Sequence, residues 1–281
     1  MKKKGSTLNT QKVSLFGSVL VYAVGIMNMI PLFIMVIGSI KHKFALIQYP
    51  MDLNPFKEPT LANIIKIIQE TDLLLWFKNS FIISLSTTAL TIIIGITAGY
   101  AFAKIKFRFK GLFFALVMAT MMMPKQMMLV SNYLVADQLH LTNSLIGVVL
   151  TSLAPAFGVF LSRQFISSMP SELFDAAEID GCSELRKFFS IVLPLSLPAA
   201  GTIGIFSFFG AFNDYIWQLI MISDPKLRTI PVGIGHYSSL NSSNYPLQLA
   251  CALLSTIPLV VIFLCSQKLF IKGATAGAVK G

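Results

Sequence analysis

Apolar residues in this chain do not alternate with charge; they run together in blocks of membrane-spanning length, separated by short charged stretches. A helix needs about 20 mostly apolar residues to cross roughly 30 Å of hydrocarbon, and six blocks reach that length. Residues 13–40 and 79–103 are free of charge. Residues 111–136 are interrupted by Pro124 and Lys125, which predicts a kink. Residues 141–162 are uncharged and hold Pro155, and residues 188–213 carry Pro194 and Pro198 early, where a first helical turn tolerates proline. The uncharged stretch 229–267 begins with the polar His236, Asn241 and Asn244, so the last span is expected at about 249–270. Transmembrane β-strands would alternate over about ten residues, and these continuous runs do not. The pattern predicts an all-α polytopic membrane protein of about six transmembrane helices. Its expected parts are a tail (1–12), a first span (13–40), an external loop (41–78), a five-helix core (79–271) and a second tail (272–281).

Composition agrees, with 55% hydrophobic and only 12% charged residues among 281. An even number of spans puts both termini on one side. Most of the basic residues fall on that side: Lys2, Lys3, Lys4 and Lys12, then Lys104, Lys106, Arg108 and Lys110 in one short linker, then Arg163, Arg186, Lys187, Lys268, Lys272 and Lys280. The positive-inside bias operates best in short loops, so termini and linker are expected in the cytoplasm. The net charge of +10 is then accounted for by membrane lipids with anionic headgroups, and no nucleic acid is expected. The apolar run after Met1-Lys2-Lys3-Lys4 is too long for a cleaved signal peptide and reads as an anchor.

Cys182, Cys251 and Cys265 are odd in number, with two in the last span and one in a loop expected in the reducing cytoplasm, so no disulfide framework follows. Met118, Met121, Met122, Met123, Met127 and Met128 are soft ligands in type, but their clustering in one span reads as adaptable packing. No metal or other cofactor is expected. Gly95, Gly99 and Ala103 put small residues on one helix face, where another helix can approach closely.

The segment from Pro170 to Gly181 is charged, yet it lies between two apolar runs. Pro170 and Glu172 suit a first turn. Leu173, Ala176, Ala177 and Asp180 recur at helical spacing, with Glu172, Asp175 and Glu178 on an adjacent face. Gly181 suits a left-handed helix end, and Ser183 with Glu184 can start a second helix that leads through Pro194 into the fifth span. This predicts a cytoplasmic helix-turn-helix between spans four and five. With Glu172, Asp175, Glu178, Asp180 and Glu184 against Arg163, Arg186 and Lys187, the segment is net acidic. Anionic headgroups repel such a surface, whereas a protein partner fits it.

Asp175-Ala176-Ala177, Asp180-Gly181 and then Ile191, Leu193 and Pro194 resemble the EAA loop of binding-protein-dependent ATP-binding-cassette importer permeases, most closely the sugar permeases of the maltose type. The resemblance extends to Asn79-Ser80, to Gly99 through Lys104, to Phe212 through Trp217, to Arg228 through Gly233 and to Lys272 through Gly281. Two departures stand out: Asp175 where the family usually has glutamate, and Ser131-Asn132-Tyr133 where relatives commonly carry an isoleucine-proline pair before an aromatic residue.

The resemblance implies a permease that pairs with a second permease subunit, two cytoplasmic ATPase subunits and an extracellular or periplasmic solute-binding protein. Leu173, Asp175, Ala176, Ala177, Asp180, Gly181 and Pro194 are then the ATPase-coupling residues. The chain has no G-x-x-x-x-G-K-[ST] phosphate loop, so no ATP hydrolysis of its own is expected. A secondary transporter would carry ionisable groups at mid-membrane, and the uninterrupted spans have none; Lys125, Asp137 and Asp214 lie toward margins. An intramembrane enzyme would need a constellation that His42, His140 and His236 do not form. Asn132, Tyr133, Asn213, Asp214 and Trp217 are candidates for the substrate pathway, because amides and a ring can bond and stack a carbohydrate. Polar groups in spans more often serve to join helices.

Overall fold

The computed structural model describes residues 15–42, 54, 56–153 and 155–276, and among these every regular element is helical. The order is α1 (Leu15–Ser39), α2 (Ala62–Glu70), α3 (Leu73–Lys104), α4 (Lys110–Met122), α5 (Leu129–Gln138), α6 (Leu145–Thr151), α7 (Pro155–Ser167), α8 (Glu172–Ile179), α9 (Glu184–Lys187), α10 (Leu193–Leu195), α11 (Leu197–Phe212), α12 (Tyr215–Met221), α13 (Ile230–Leu240) and α14 (Tyr245–Ala276). Among the described residues, three stretches are long and apolar enough to cross a membrane unaided: Gly17–Ser39, Leu73–Lys104 and Tyr245–Cys265. Three broken pairs, α4 with α5, α6 with α7, and the stretch from α9 through α10 with α11, bring the spans to six.

The breaks follow the prolines. At Pro124 the chain leaves α4, makes a single 3₁₀ turn (Lys125–Met128) and enters α5 at 96° to its former direction, so the expected kink is a full corner. Pro155 opens α7 just after the break from α6, and its missing N–H falls where a helix has no partner for it. Pro198 likewise stands at the start of α11, which turns 70° from the preceding stretch. The second span begins at Leu73, and the segment expected as an external loop contains α2. Polar side chains fix two further starts. Ser144 accepts from the Gly147 amide at 3.0 Å to cap α6, and Asp214 accepts from the Trp217 amide at 3.2 Å to cap α12.

The described chain forms two compact units. In the first, which takes residues up to Ile67 and Asn241–Leu253, a bridge pairs Lys41 with Pro59 and the Asn63 amide donates to the carbonyls of Ser39 (3.1 Å) and Lys41 (2.9 Å). The second unit, Ile68–Leu240 with the residues from Leu254 on, is built around α3, which packs on α6, α7, α11 and α13. Glycine permits the closest of these contacts. A Cβ on Gly95 would sit 3.0 Å from the Gly158 carbonyl carbon, and one on Gly99 would sit 2.4 Å from the Ser162 Cβ, so α3 and α7 meet backbone to backbone. The C-terminal carbonyls of α3 are satisfied by cations: Lys110 Nζ donates to Ala103 and Ile105 (3.3 and 3.0 Å), and Arg163 Nε donates to Phe102 (3.4 Å) while its guanidinium lies 3.9 Å from the centre of the Phe114 ring.

Candidate coupling loop and pathway residues

The acidic segment after α7 folds into α8, a one-residue reversal and α9. Gly181 has φ of +72°, a region that costs an L-residue strain and glycine nothing, and the Cys182 amide returns to the Ala177 carbonyl at 2.9 Å to close the end of α8. Ser183 then caps α9 by accepting from the Arg186 amide at 3.4 Å. A π-helical turn, Phe188–Val192, carries the chain into α10, where Pro194 sits in the first turn.

The stripe of residues at helical spacing on α8 divides between an open and a buried face. Leu173, Ala176 and Asp180 are exposed, together with Glu172, Asp175 and Glu178, whereas Phe174 and Ala177 are buried. Positions 173/176/180 and 174/177/181 have equal helical spacing and differ by a rotation of about 100°. The larger apolar ring decides between them, since burying Phe174 removes more apolar surface from water than burying Leu173 would with the alanine.

Phe174 rests on the end of α3. Its ring stacks on Tyr100 at 6.4 Å between centroids, and Lys104 Nζ lies 4.5 Å over its face while donating to the Met169 carbonyl at 3.0 Å. Tyr100 is itself buried. Its hydroxyl donates to Glu184 Oε2 at 2.6 Å, and its ring meets Phe188 at 5.8 Å. Glu184 Oε1 pairs with Lys187 Nζ at 3.0 Å, and Glu178 approaches the same ammonium at 3.5 Å. Lys187 is 6% exposed, and the two carboxylates supply the charge partners that a buried ammonium requires. In the sequence, Tyr100 stood out only within a resembling stretch, and Lys104 and Lys187 chiefly as basic residues of the expected cytoplasmic side. Phe174 did not stand out, although the apolar pair 174/177 at helical spacing was a signal for it.

The pathway candidates separate. Asn132 and Tyr133 lie on α5, where Asn132 is exposed and Tyr133 packs against the core cluster that holds Trp217, Val148, Ala136 and Ile83. Asn213 is exposed at the end of α11 and donates to the Phe209 carbonyl at 3.0 Å. Asp214 spends one carboxylate oxygen on its cap, and Trp217 is buried with its indole N–H on Thr151 Oγ1 at 2.9 Å. Trp217 and Tyr133 thus share one cluster, while the two asparagines present their side chains at the surface of the unit.

Other stretches that carried the resemblance also meet. Asn79 Nδ2 donates to the carbonyls of Lys226 and Arg228, both at 2.9 Å, and Ser80 Oγ accepts from the Ile230 amide at 2.8 Å. Thr229 donates to the Gln218 side chain, and Gly233 lies so close beneath Trp76 that a Cβ would fall 2.2 Å from the ring. Segments some 150 residues apart in sequence are one hydrogen-bonded knot at the start of α3.

A family model described as a binding-protein-dependent transport system inner membrane component matches residues 91–275, which include α8, Gly181 and the turn into α11. The arabinooligosaccharides transport system permease protein AraQ of Bacillus subtilis is 32% identical over 259 residues, 91% of this chain and 92% of its own length. The sulfoquinovosyl glycerol transport system permease protein SmoH of Agrobacterium fabrum is 33% identical, covering 79% of each chain, and the sn-glycerol-3-phosphate transport system permease protein UgpE of Yersinia pestis is 30% identical, covering 94% and 97%. Among solved structures, a chain of a bacterial ABC transporter involved in the import of the acidic polysaccharide alginate superposes with a TM-score of 0.77 over 94% of this chain and 99% of its own, at 18% identity, so it shares the fold. With six spans, an interhelical acidic loop and relatives matched along nearly the whole length, this multi-pass chain belongs to the inner-membrane permease components of binding-protein-dependent ABC transport systems.

Proposed function

We propose that the chain is one of two membrane-spanning subunits of an ATP-driven importer for a sugar or oligosaccharide, with α8 as the seat of an ATPase subunit. The observation that carries this reading is the division of α8: Phe174 and Ala177 fasten it to the end of α3, while Leu173, Asp175, Ala176 and Asp180 remain free on the outer side. A short rigid helix fastened to a span and acidic on its open face is suited to receive a basic partner and pass its movement inward. Gly181 and Pro194 hold the reversal and the entry to the next span. The chain contains no phosphate loop, so two partner ATPases supply hydrolysis, and a second permease completes the pathway. The basic linker between α3 and α4 and both termini face the cytoplasm, and the segment 41–78 faces outward to the solute-binding protein. Sugar is the substrate class because the relatives AraQ and SmoH are named for arabinooligosaccharides and a sulfoquinovosyl glycerol. Asn132, Tyr133, Asn213, Asp214 and Trp217 are assigned to the walls of the pathway, with the exposed amides nearest the solute.

UgpE, named for sn-glycerol 3-phosphate, supports a second reading in which the solute is a small phosphate ester. Uptake of radiolabelled arabinotriose into proteoliposomes that hold both permeases, the ATPases and the binding protein tests both, with sn-glycerol 3-phosphate as competitor. Uptake that requires enclosed ATP and resists the competitor is expected. Uptake of either solute without ATP overturns the importer assignment. In the same preparation, Asp175→Lys should insert normally yet retain about one tenth or less of the ATPase through purification, because a like charge at a docking contact costs far more than a surface substitution in the fold. Full retention with normal uptake would remove Asp175 from the docking surface.

A further inference from the structure

One side chain of α3 touches all three pieces of the acidic loop. The Tyr100 ring lies against Phe174 of α8 at 6.4 Å and Phe188 of the π-helical turn at 5.8 Å, and its hydroxyl donates to Glu184 of α9 at 2.6 Å. Lys104, one turn on, reaches only the entry to α8, through the Met169 carbonyl and the Phe174 face. The ring contacts are apolar and can slide, whereas the hydrogen bond has a fixed length and direction. It is also charge-assisted, with a donor 4% exposed and an acceptor already oriented by Lys187. Lateral displacement of α8 and α9 larger than rotation of the Glu184 side chain can take up therefore either breaks this bond or moves α3. α3 is also the helix against which α6, α7, α11 and α13 are packed, so motion delivered to Tyr100 reaches the rest of its unit.

We propose that Tyr100 is a positioning residue for energy coupling: its hydrogen bond to Glu184 is the strap by which movement of the docking loop is imposed on α3. The proposal rests on the assignment of α8 as the ATPase seat. Its role is distinct from docking, because Tyr100 is buried behind the loop and offers no surface to a partner.

Two variants remove the bond from opposite ends. Tyr100→Phe keeps the ring and its packing, and Glu184→Ala leaves Lys187 its contact with Glu178. The assembled complex, purified through a tag on this chain, is compared by amide hydrogen exchange with and without ATP plus vanadate. In the unsubstituted complex, nucleotide is expected to change exchange in both 172–187 and 93–104. In each variant that assembles, the change in 172–187 is expected to persist while that in 93–104 falls roughly fivefold or more, the range of an ordinary coupling between sites. A contact with a structural role alone would lower stability and leave the nucleotide-dependent difference in place. An unaltered response of 93–104 in either variant overturns the proposal. Failure of both to assemble also overturns it, since the bond would then be an assembly contact. If nucleotide leaves 172–187 unchanged in the unsubstituted complex, the ATPase seat is misassigned and the strap falls with it. That result is distinguishable from loss of the strap alone, in which 172–187 still responds.

Discussion

Gly181 and Gly99 both sit where glycine is favoured, for opposite reasons. Around Gly181 there is open space, with no atom within 4 Å of an added Cβ, so its demand is backbone conformation alone at φ +72°. Alanine there should cost about 1 kcal/mol and valine more, as a β-branched side chain is stiff in that region. Gly181→Val is expected to fold and insert but to aim α8 wrongly, so that ATP hydrolysis persists with little solute movement, while Gly181→Ala keeps most coupled uptake. Near-normal uptake by the valine variant would show that the reversal does not need this geometry. Gly99 has ordinary helical backbone and no room: even alanine would put its Cβ 2.4 Å from Ser162. Gly99→Ala is expected to force α3 from α7 at a cost of about 1–3 kcal/mol, read as lower thermal stability in detergent with no selective effect on coupling.

Among elements, α3 is unusual in carrying hydroxyls where a core helix would carry aliphatic groups. Ser80, Ser84, Thr87 and Thr91 recur along one buried face that continues into Gly95 and Gly99. Ser80 is bonded to Ile230, but the hydroxyls of Ser84, Thr87 and Thr91 have no partner among the described residues, and an unpaired buried hydroxyl is unfavourable. The isosteric Thr87→Val and Thr91→Val are therefore expected to leave the thermal midpoint unchanged or raise it. A fall of several degrees in either would mean that these hydroxyls are satisfied in the assembled protein. The same helix marks how far the sequence could be read. Gly95 and Gly99 announced a close approach, because small residues at helical spacing admit few other uses in an apolar span, but nothing in the string named α7 as the partner. The spans themselves were legible because lipid leaves the backbone only helix or closed barrel, and continuous apolar runs lack the alternation of a barrel. The corner at Pro124 was legible as a break and not as 96°, since proline fixes where the ladder is interrupted while packing fixes the angle. In the loop, helix, reversal and caps could be read locally. The buried face was legible only as a preference, because Leu173 and Phe174 head stripes of equal period; the larger ring favours Phe174, and Tyr100, far away in sequence, supplies the surface it rests on.

At the scale of the whole molecule, the proposed topology puts both ends of the chain in the cytoplasm, and the native thiols can test it. Cys251 is buried, and burial of its thiol keeps it from an aqueous reagent; Cys265 is exposed, but it ends the apolar stretch Tyr245–Cys265, which is long enough to lie in hydrocarbon. Cys182 is half-buried at the end of α8, next to Gly181 and outside every apolar run. A charged, membrane-impermeant maleimide is therefore expected to modify one position only. In inside-out vesicles stripped of ATPase, Cys182 should label, and Cys182→Ser should abolish the signal; in intact cells the unsubstituted protein should remain unlabelled. Returning the ATPase to the vesicles should slow labelling, because the thiol lies beside the acidic face assigned to docking. Labelling from outside intact cells would reverse the orientation and place α8 where no cytoplasmic ATPase can reach it. Labelling from inside at a rate indifferent to the ATPase would leave the orientation standing and move the docking contact away from the Gly181 end of α8.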